Sequence, residues 1–137
     1  MSRSGYTDDI DDQWRHIMWR GAVASALRGK RGQAFLREAL VALDALPEPK
    51  LIANNLRTPS GEFCTLGAVG DARGLSTATV DPEDQDAVAG LFNIPHALAC
   101  EIMWENDEAG RWNETPEQRW QRMRAWIAGQ IKPETPQ

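Results

Sequence analysis

The chain has 137 residues, of which 42% are hydrophobic and 26% charged, and its formal net charge is −5. These values are typical of one globular domain whose core needs neither disulfides nor metal, and no apolar run approaches the ~20 residues that span a bilayer. The polar start of the chain lacks the apolar segment of a secretory signal. We therefore expect a cytoplasmic protein with a flexible arm over residues 1–10, a single helical domain over residues 11–131 and a disordered tail over residues 132–137.

Charge is distributed unevenly along the chain. Residues 13–37 carry six basic side chains and no acidic one, whereas residues 58–110 carry ten acids and a single arginine. Opposite segments of this kind can neutralise each other within one fold or between two copies of the chain. The pattern leaves both arrangements open, and a homodimer is one of them.

The first predicted element is an N-terminal antiparallel helix hairpin. Over residues 11–28 apolar or small residues recur at three- and four-residue spacing, and we expect this face to point into the core. It consists of Trp14, Ile17, Met18, Gly21 and Ser25. The glycines of 29–32 break the chain, and leucines at helical spacing over residues 33–46 predict the second helix of the hairpin.

Residues 50–64 have a less regular pattern, because turn residues interrupt their apolar positions. Either a short helix or a minor two-stranded ribbon would satisfy this stretch. A short helix then follows over residues 66–72, with Gly74 as a suitable residue to end it.

Three further helices have clear start signals. Asp81 and Pro82 combine an N-cap acid with proline at the first helical position, and Pro95 opens the next helix. Thr115-Pro116-Glu117-Gln118 is a capping box that starts a helix to about Ile131. The sequence therefore predicts an all-α fold, a single compact domain of about six helices.

Two cysteines and two histidines are the residues from which a catalytic or zinc site could be built: Cys64, Cys100, His16 and His96. His96 and Cys100 lie four residues apart on one predicted helix, so a Cys–His dyad is geometrically possible. The spacing offers no Cys-x-x-Cys or His-x-x-x-His pair of the kind that zinc sites use. We predict no catalytic residue, no metal and no cofactor, and a small zinc or Cys–His enzyme remains the second alternative.

Tryptophan is unusually frequent, with six residues against one tyrosine and three phenylalanines. Four of the six fit apolar helical faces and are predicted to belong to the core. These are Trp14, Trp104, Trp120 and Trp126. Trp19 lies off the apolar line of its helix and Trp112 lies in a connection, which makes both of them candidates for a protein interface.

The predicted partner-binding residues combine a tryptophan with the acid-free basic segment: Trp19, Arg20, Arg28, Lys30 and Arg31. Tryptophan and arginine are the side chains that most often dominate protein interfaces. Arginine and lysine also bind phosphates, so association with nucleic acid or a ribonucleoprotein through the same residues is the first alternative.

Four segments carry a likeness to known sequences: Trp19–Glu38 (WRGAVASALRGKRGQAFLRE), Gly61–Ala68 (GEFCTLGA), Asn106–Glu108 and Glu114–Trp120 (ETPEQRW). They resemble a group of small proteins encoded by tailed bacteriophages and prophages. The resemblance implies a bacterial cytoplasm under phage or prophage control and a non-enzymatic accessory protein that binds a host or phage protein. Its most concrete form is an inhibitor of a bacterial defence system such as CRISPR–Cas.

Overall fold

The computed structural model describes residues 3–6, 13–77 and 79–133. Its helices are α1 (Gln13–Arg28), α2 (Lys30–Asp44), α3 (Thr65–Ala72), α4 (Gln85–Phe92), α5 (His96–Asp107) and α6 (Pro116–Gln130). No strand occurs in this described part of the chain, so the prediction of an all-α fold is confirmed.

The core lies between α2, α3, α5 and α6. Helix α2 packs chiefly against α3 and α6, and α5 packs against α1, α3 and α4. The largest fully buried apolar side chains are Leu36, Leu43, Leu51, Leu56, Leu66, Phe92, Leu98, Ile102, Met103, Met123 and Ile127. Leu36 and Leu43 are among the leucines of residues 33–46 whose helical spacing predicts the apolar side of α2.

The face that α1 turns to the core differs from the predicted one. Val23 is buried, and Trp19, Ala26 and Leu27 pack against the core from the same side of the helix. The predicted inner face, which begins at Trp14, instead points to solvent. Helix α1 is apolar on both sides, so periodicity alone could not distinguish its inner face from its outer one.

Two glycines allow one backbone to lie directly against another. The helical hairpin turns at Gly29, which precedes α2, and Gly32 lies inside α2. A Cβ atom at Gly32 would lie 1.8 Å from the carbonyl oxygen of Ala26. At Gly67 in α3, a Cβ atom would lie 1.8 Å from the carbonyl oxygen of Leu56. Both contacts require the absence of a side chain, and they fix α2 against α1 and α3 against the preceding loop.

The start signals of the later helices act much as predicted. Thr115 and Gln118 form the reciprocal capping box of α6, with Pro116 at its first position. Helix α4 begins later than predicted, because Asp84 rather than Asp81 is its N-cap and accepts a hydrogen bond from the backbone N–H of Ala87. The predicted ribbon over residues 50–64 is reduced to one antiparallel bridge between Arg57 and Phe63.

The two ends of the chain fall partly outside the described residues. Within the predicted flexible arm, Arg3 and Ser4 are 3% and 2% exposed and Tyr6 packs against the core. Residues 3–6 of the predicted arm therefore make buried contacts with the helical domain. The remainder of the arm and most of the predicted tail, residues 134–137, lie outside the described residues.

No single helix in the described ranges is long and apolar enough to cross a membrane. Helices α4 and α5 together have sufficient length and composition, but the chain bends by 106° between them.

Candidate functional site

A buried carboxylate on α5 joins the N-terminal segment to α1. The side chain of Glu101 is 5% exposed and accepts hydrogen bonds from the Tyr6 hydroxyl (2.9 Å) and from both terminal nitrogens of Arg20 (3.0 and 3.1 Å). The indole N–H of Trp19 donates to the Tyr6 oxygen (2.9 Å). Burial, reinforced by the nearby charge of Glu101, raises the pKa of Tyr6 above its ordinary value, so its hydroxyl keeps its proton.

This network contains two of the five predicted partner-binding residues. Trp19 and Arg20 hold α1 against α5, and the hydrogen bonds to Glu101 raise the pKa of Arg20. A double interaction with a buried carboxylate is among the stronger polar contacts in proteins. Trp19 and Arg20 therefore stabilise the packing of α1 against α5 in this fold.

The other three predicted residues lie on the surface at the joint of α1 and α2. Arg31 donates to the carbonyl oxygen (2.7 Å) and side-chain oxygen (3.1 Å) of Asn93. Arg28 and Lys30 are exposed and form no ion pair with any residue in the described part of the chain. All four predicted cations remain exposed, and Arg28 and Lys30 are the two without an ion pair or hydrogen bond to a described residue.

A second buried polar cluster surrounds the end of α5. Asn106 is 1% exposed, and its side-chain oxygen accepts hydrogen bonds from the backbone and hydroxyl of Thr65, while its amide donates to the carbonyl of Ile52. The neighbouring Asp107 binds the guanidinium of Arg3, and both side chains are 2% exposed. These contacts tie α5 to α3, to the 50–64 loop and to the N-terminal segment.

The sequence analysis names Asn106 only within a segment of the resemblance and not as a structural residue, although the chain contains a signal for such a role. Asn106 follows the buried Ile102 and Met103 at four- and three-residue spacing, which places a polar side chain on an apolar face. A buried amide almost always has hydrogen-bond partners. A polar residue at such a position is therefore expected to be buried and hydrogen-bonded rather than exposed to solvent.

The cysteines and histidines do not assemble into a reactive site. Cys64 and Cys100 are free thiols with no exposed surface. Burial, together with the charges of Asp86 and Glu101, raises the pKa of Cys100 to about 11, so its thiol remains protonated and is a poor nucleophile at neutral pH. His96 interacts instead with Asp86.

Metal-binding geometry is also lacking in the described ranges. No three histidine, cysteine, aspartate or glutamate side chains there come together in a way that could hold a metal ion. Cys64 serves instead as the N-cap of α3, where its sulfur accepts a hydrogen bond from the backbone N–H of Gly67. Nothing in this geometry supports the zinc or Cys–His alternative.

Two exposed apolar features remain on the surface. Trp112, in the connection between α5 and α6, is 97% exposed. Trp14, Ile17 and Met18 are 69%, 60% and 59% exposed and share the outer side of α1. The prediction of a core position is therefore wrong for Trp14. Trp120 and Trp126 are partly buried and pack against the core, and Trp104 is partly buried with its ring against that of Tyr6.

The Trp112 loop is braced by the elements on either side of it. The backbone N–H of Glu114 donates to the carbonyl of Arg111 (3.0 Å) and closes a tight turn around Trp112. The Glu114 carboxylate is 7% exposed and receives two hydrogen bonds from Arg122 (2.7 and 3.0 Å). Hydrogen bonding to Arg122 lowers the pKa of Glu114 below its ordinary value.

Comparison of the chain with protein-family models, with curated proteins and with solved structures finds no match. The candidate site is therefore defined by geometry alone, as the exposed indole of Trp112 on a braced turn.

Proposed function

We propose that this chain is a non-enzymatic binding protein that inserts the indole of Trp112 into another protein. The observation that carries the proposal is the 97% exposure of this side chain. A tryptophan offers roughly 150–250 Å² of surface for burial, and such residues often contribute most of the energy of an interface. An indole fully exposed to water is unfavourable for an isolated chain, and a partner's pocket would remove that surface from water.

Bracing of the loop strengthens this proposal. A side chain presented by a rigid turn loses less conformational freedom on binding than one on a mobile loop. Glu114, fixed by Arg122, holds the turn that carries Trp112. A cleft of about 520 Å³ lies beside the turn and is lined by polar side chains, among them Arg111, Gln118 and Arg122.

These features define the chemistry of the partner. Its surface would offer an apolar pocket for the indole, with hydrogen-bonding or acidic groups around the pocket to meet Arg111. The resemblance to proteins of tailed phages and prophages supports a partner in a bacterial host. An inhibitor of a bacterial defence complex such as CRISPR–Cas is the most concrete form of this role.

The test is affinity capture with the tagged protein from lysates of phage-infected or prophage-bearing bacteria, with and without nuclease. We expect a stoichiometric protein partner that survives nuclease and falls at least tenfold with Trp112→Ala, because the lost indole contact is worth about 2 kcal/mol or more. Val41→Ala is the matched control, since Val41 is an exposed apolar side chain on α2.

Other outcomes would refute the proposal. Equal capture by Trp112→Ala and wild type would remove Trp112 as the contact. Loss of all captured material after nuclease, with a steep dependence on salt, would favour nucleic-acid binding through Arg28 and Lys30.

A further inference from the structure

Helix α1 has an apolar outer side in addition to its apolar inner side. Val23 is buried on the inner side, whereas Trp14, Ile17 and Met18 are each about 60–70% exposed on the outer side. A contiguous exposed apolar patch of a few hundred Å² often marks an interaction surface. The described part of the chain covers only one side of α1.

The outer side is sorted by size along the helix. Its first half carries the large side chains Trp14, Ile17 and Met18, and its second half carries the small residues Gly21 and Ser25. Two copies of such a surface fit together when they run antiparallel with Gly21 at the centre. The large half of each helix then covers the small half of the other, which is the self-complementarity that a two-fold symmetric interface requires.

Gly21 leaves room for another helix at the centre of this side. It is exposed, and a Cβ atom at this position would have nothing within 4 Å, so the fold of one chain does not need a glycine here. Glycine in the middle of a helix lowers helix stability. Because Gly21 has no side chain, the backbone of a second helix can approach α1 closely at this position.

The arginines of α1 meet the second helix in two ways: Arg28 can stack on an indole, but it also comes within one residue of Arg15 of the other copy along the axis, a like-charge approach that weakens the pair at low salt. An antiparallel pair centred on Gly21 brings Arg28 of each copy next to Trp14 of the other, where a guanidinium can stack on an indole. The two copies of Arg28 lie about 21 Å apart along the axis, which exceeds the screening length of about 8 Å at physiological salt.

We infer that the partner of this outer side is a second copy of the chain, and that α1 pairs antiparallel with α1 around Gly21 in a symmetric homodimer. The exposed parts of Trp14, Ile17 and Met18 amount to about 400 Å² per chain, and with the small residues the pair buries on the order of 1,000 Å² in total. That area lies at the low end for specific dimers, so we expect a dissociation constant in the micromolar range.

The dimer does not depend on the role proposed for Trp112, which lies outside α1. Trp112→Ala should dimerise like the wild type, and a monomeric α1 variant should still present Trp112. Failure of one proposal can therefore be distinguished from failure of the other.

Sedimentation velocity of the full chain from about 1 to about 200 μM tests the inference. We expect the wild type to shift from monomer to dimer over this range, and Ile17→Asp to remain monomeric with an unchanged far-ultraviolet circular dichroism spectrum. Val41→Asp, an equally exposed position on α2, is the control and should dimerise normally. A wild type that is monomeric at the highest concentration, or an Ile17→Asp variant that still dimerises, would overturn the inference.

Replacement of the central glycine separates dimer packing from monomer stability. At concentrations where the protein is monomeric, Gly21→Ala should raise the Tm by about 2–4 °C. The same substitution should weaken dimerisation at least tenfold. Gly90→Ala, at another exposed helical glycine with nothing within 4 Å, should raise the Tm without changing dimerisation. Unweakened dimerisation of Gly21→Ala would exclude close packing at this position.

Disulfide trapping tests the antiparallel direction, and the native thiols of Cys64 and Cys100 are too buried to interfere. Oxidation of a mixture of Ile17→Cys and Ser25→Cys should link the two variants. Ser25→Cys alone should not be linked, because its two copies lie about 12 Å apart along the axis, beyond the ~7 Å limit for a disulfide. Efficient linkage of Ser25→Cys to itself would indicate a parallel pair and overturn the arrangement.

Discussion

Replacing Asp107 with asparagine removes the charge that faces Arg3 and leaves the size of the side chain almost unchanged. Both side chains of this pair are 2% exposed, and Asp107 also accepts hydrogen bonds from the backbone N–H of Asn54 (3.0 Å) and the amide of Asn106 (2.9 Å). An asparagine can keep the last two contacts with its oxygen. The side-chain NH₂ of the asparagine, however, would lie opposite the guanidinium of Arg3, and two hydrogen-bond donors cannot bond to each other.

The expected loss of stability is largest if Arg3 stays buried without its partner and smaller if Arg3 moves into water. Removing one partner of a buried ion pair costs about 3–5 kcal/mol when the remaining charge stays buried. Arg3 is near the chain terminus, so it can instead move into water at the expense of the contacts of the N-terminal segment. We therefore expect Asp107→Asn to lower the free energy of unfolding by about 2–3 kcal/mol, measured by urea denaturation.

Brief digestion with trypsin, which cleaves after arginine, gives a second readout. In the wild type Arg3 is 3% exposed and should be protected, whereas in Asp107→Asn the bond after Arg3 should be cleaved rapidly. The double variant Arg3→Met, Asp107→Asn should be no less stable than the worse single variant, because neither charge is then buried alone. A change below about 0.5 kcal/mol in Asp107→Asn, with Arg3 cleaved equally in both proteins, would refute this reasoning.

Two further predictions concern carboxylates whose pKa values the fold shifts in opposite directions. Burial and the neighbouring charge of Glu101 raise the pKa of Glu105 above its ordinary 4.5. The ionised form of Glu105 therefore destabilises the fold at neutral pH. Glu105→Gln should raise the Tm by about 1–2 °C at pH 7, and this gain should vanish below pH 4.5, where Glu105 is protonated in both the folded and the unfolded chain. Hydrogen bonding to Arg122 lowers the pKa of Glu114, so its stabilisation is present above 4.5 and is lost as the pH falls through the lower folded value. Glu114→Gln should therefore lower the free energy of unfolding by about 1–2 kcal/mol at pH 7 but change it little in acid. It should also weaken partner capture through Trp112, because Arg122 no longer holds the turn. An unchanged urea midpoint at pH 7 would contradict this prediction.

The helices could be predicted from the sequence because local signals determine where they start. Thr115 and Gln118 satisfy backbone donors within one turn, so their effect is independent of the rest of the fold. The apolar spacing of α2 likewise predicts which residues are buried, since this helix has a single dominant buried side, whereas α5 is buried on all sides from Ala97 to Met103. Where two acids compete for the same N-cap, as Asp81 and Asp84 do, local signals do not determine the exact boundary.

The candidate surfaces were harder to predict, because they depend on which partner each helix finds. Trp19 was predicted to be a contact residue since it lies off the apolar line of α1, but α1 turns that side to α5 and Tyr6 supplies a hydrogen-bond acceptor for its indole. The acceptor comes from a segment predicted to be a flexible arm. Trp112 was recognised as a candidate because a connection between two helices has no apolar face to receive it.

The backbone contacts at Gly32 and Gly67 limit how the sequence of this chain can diverge. Any side chain at Gly32 would separate α2 from Ala26, and any side chain at Gly67 would separate α3 from Leu56. A saturation library should therefore contain almost no folded variants at these two positions, while Gly90 and Gly129 should accept many residues. Related chains should be recognisable by this pair of invariant glycines even after their surface residues have been replaced.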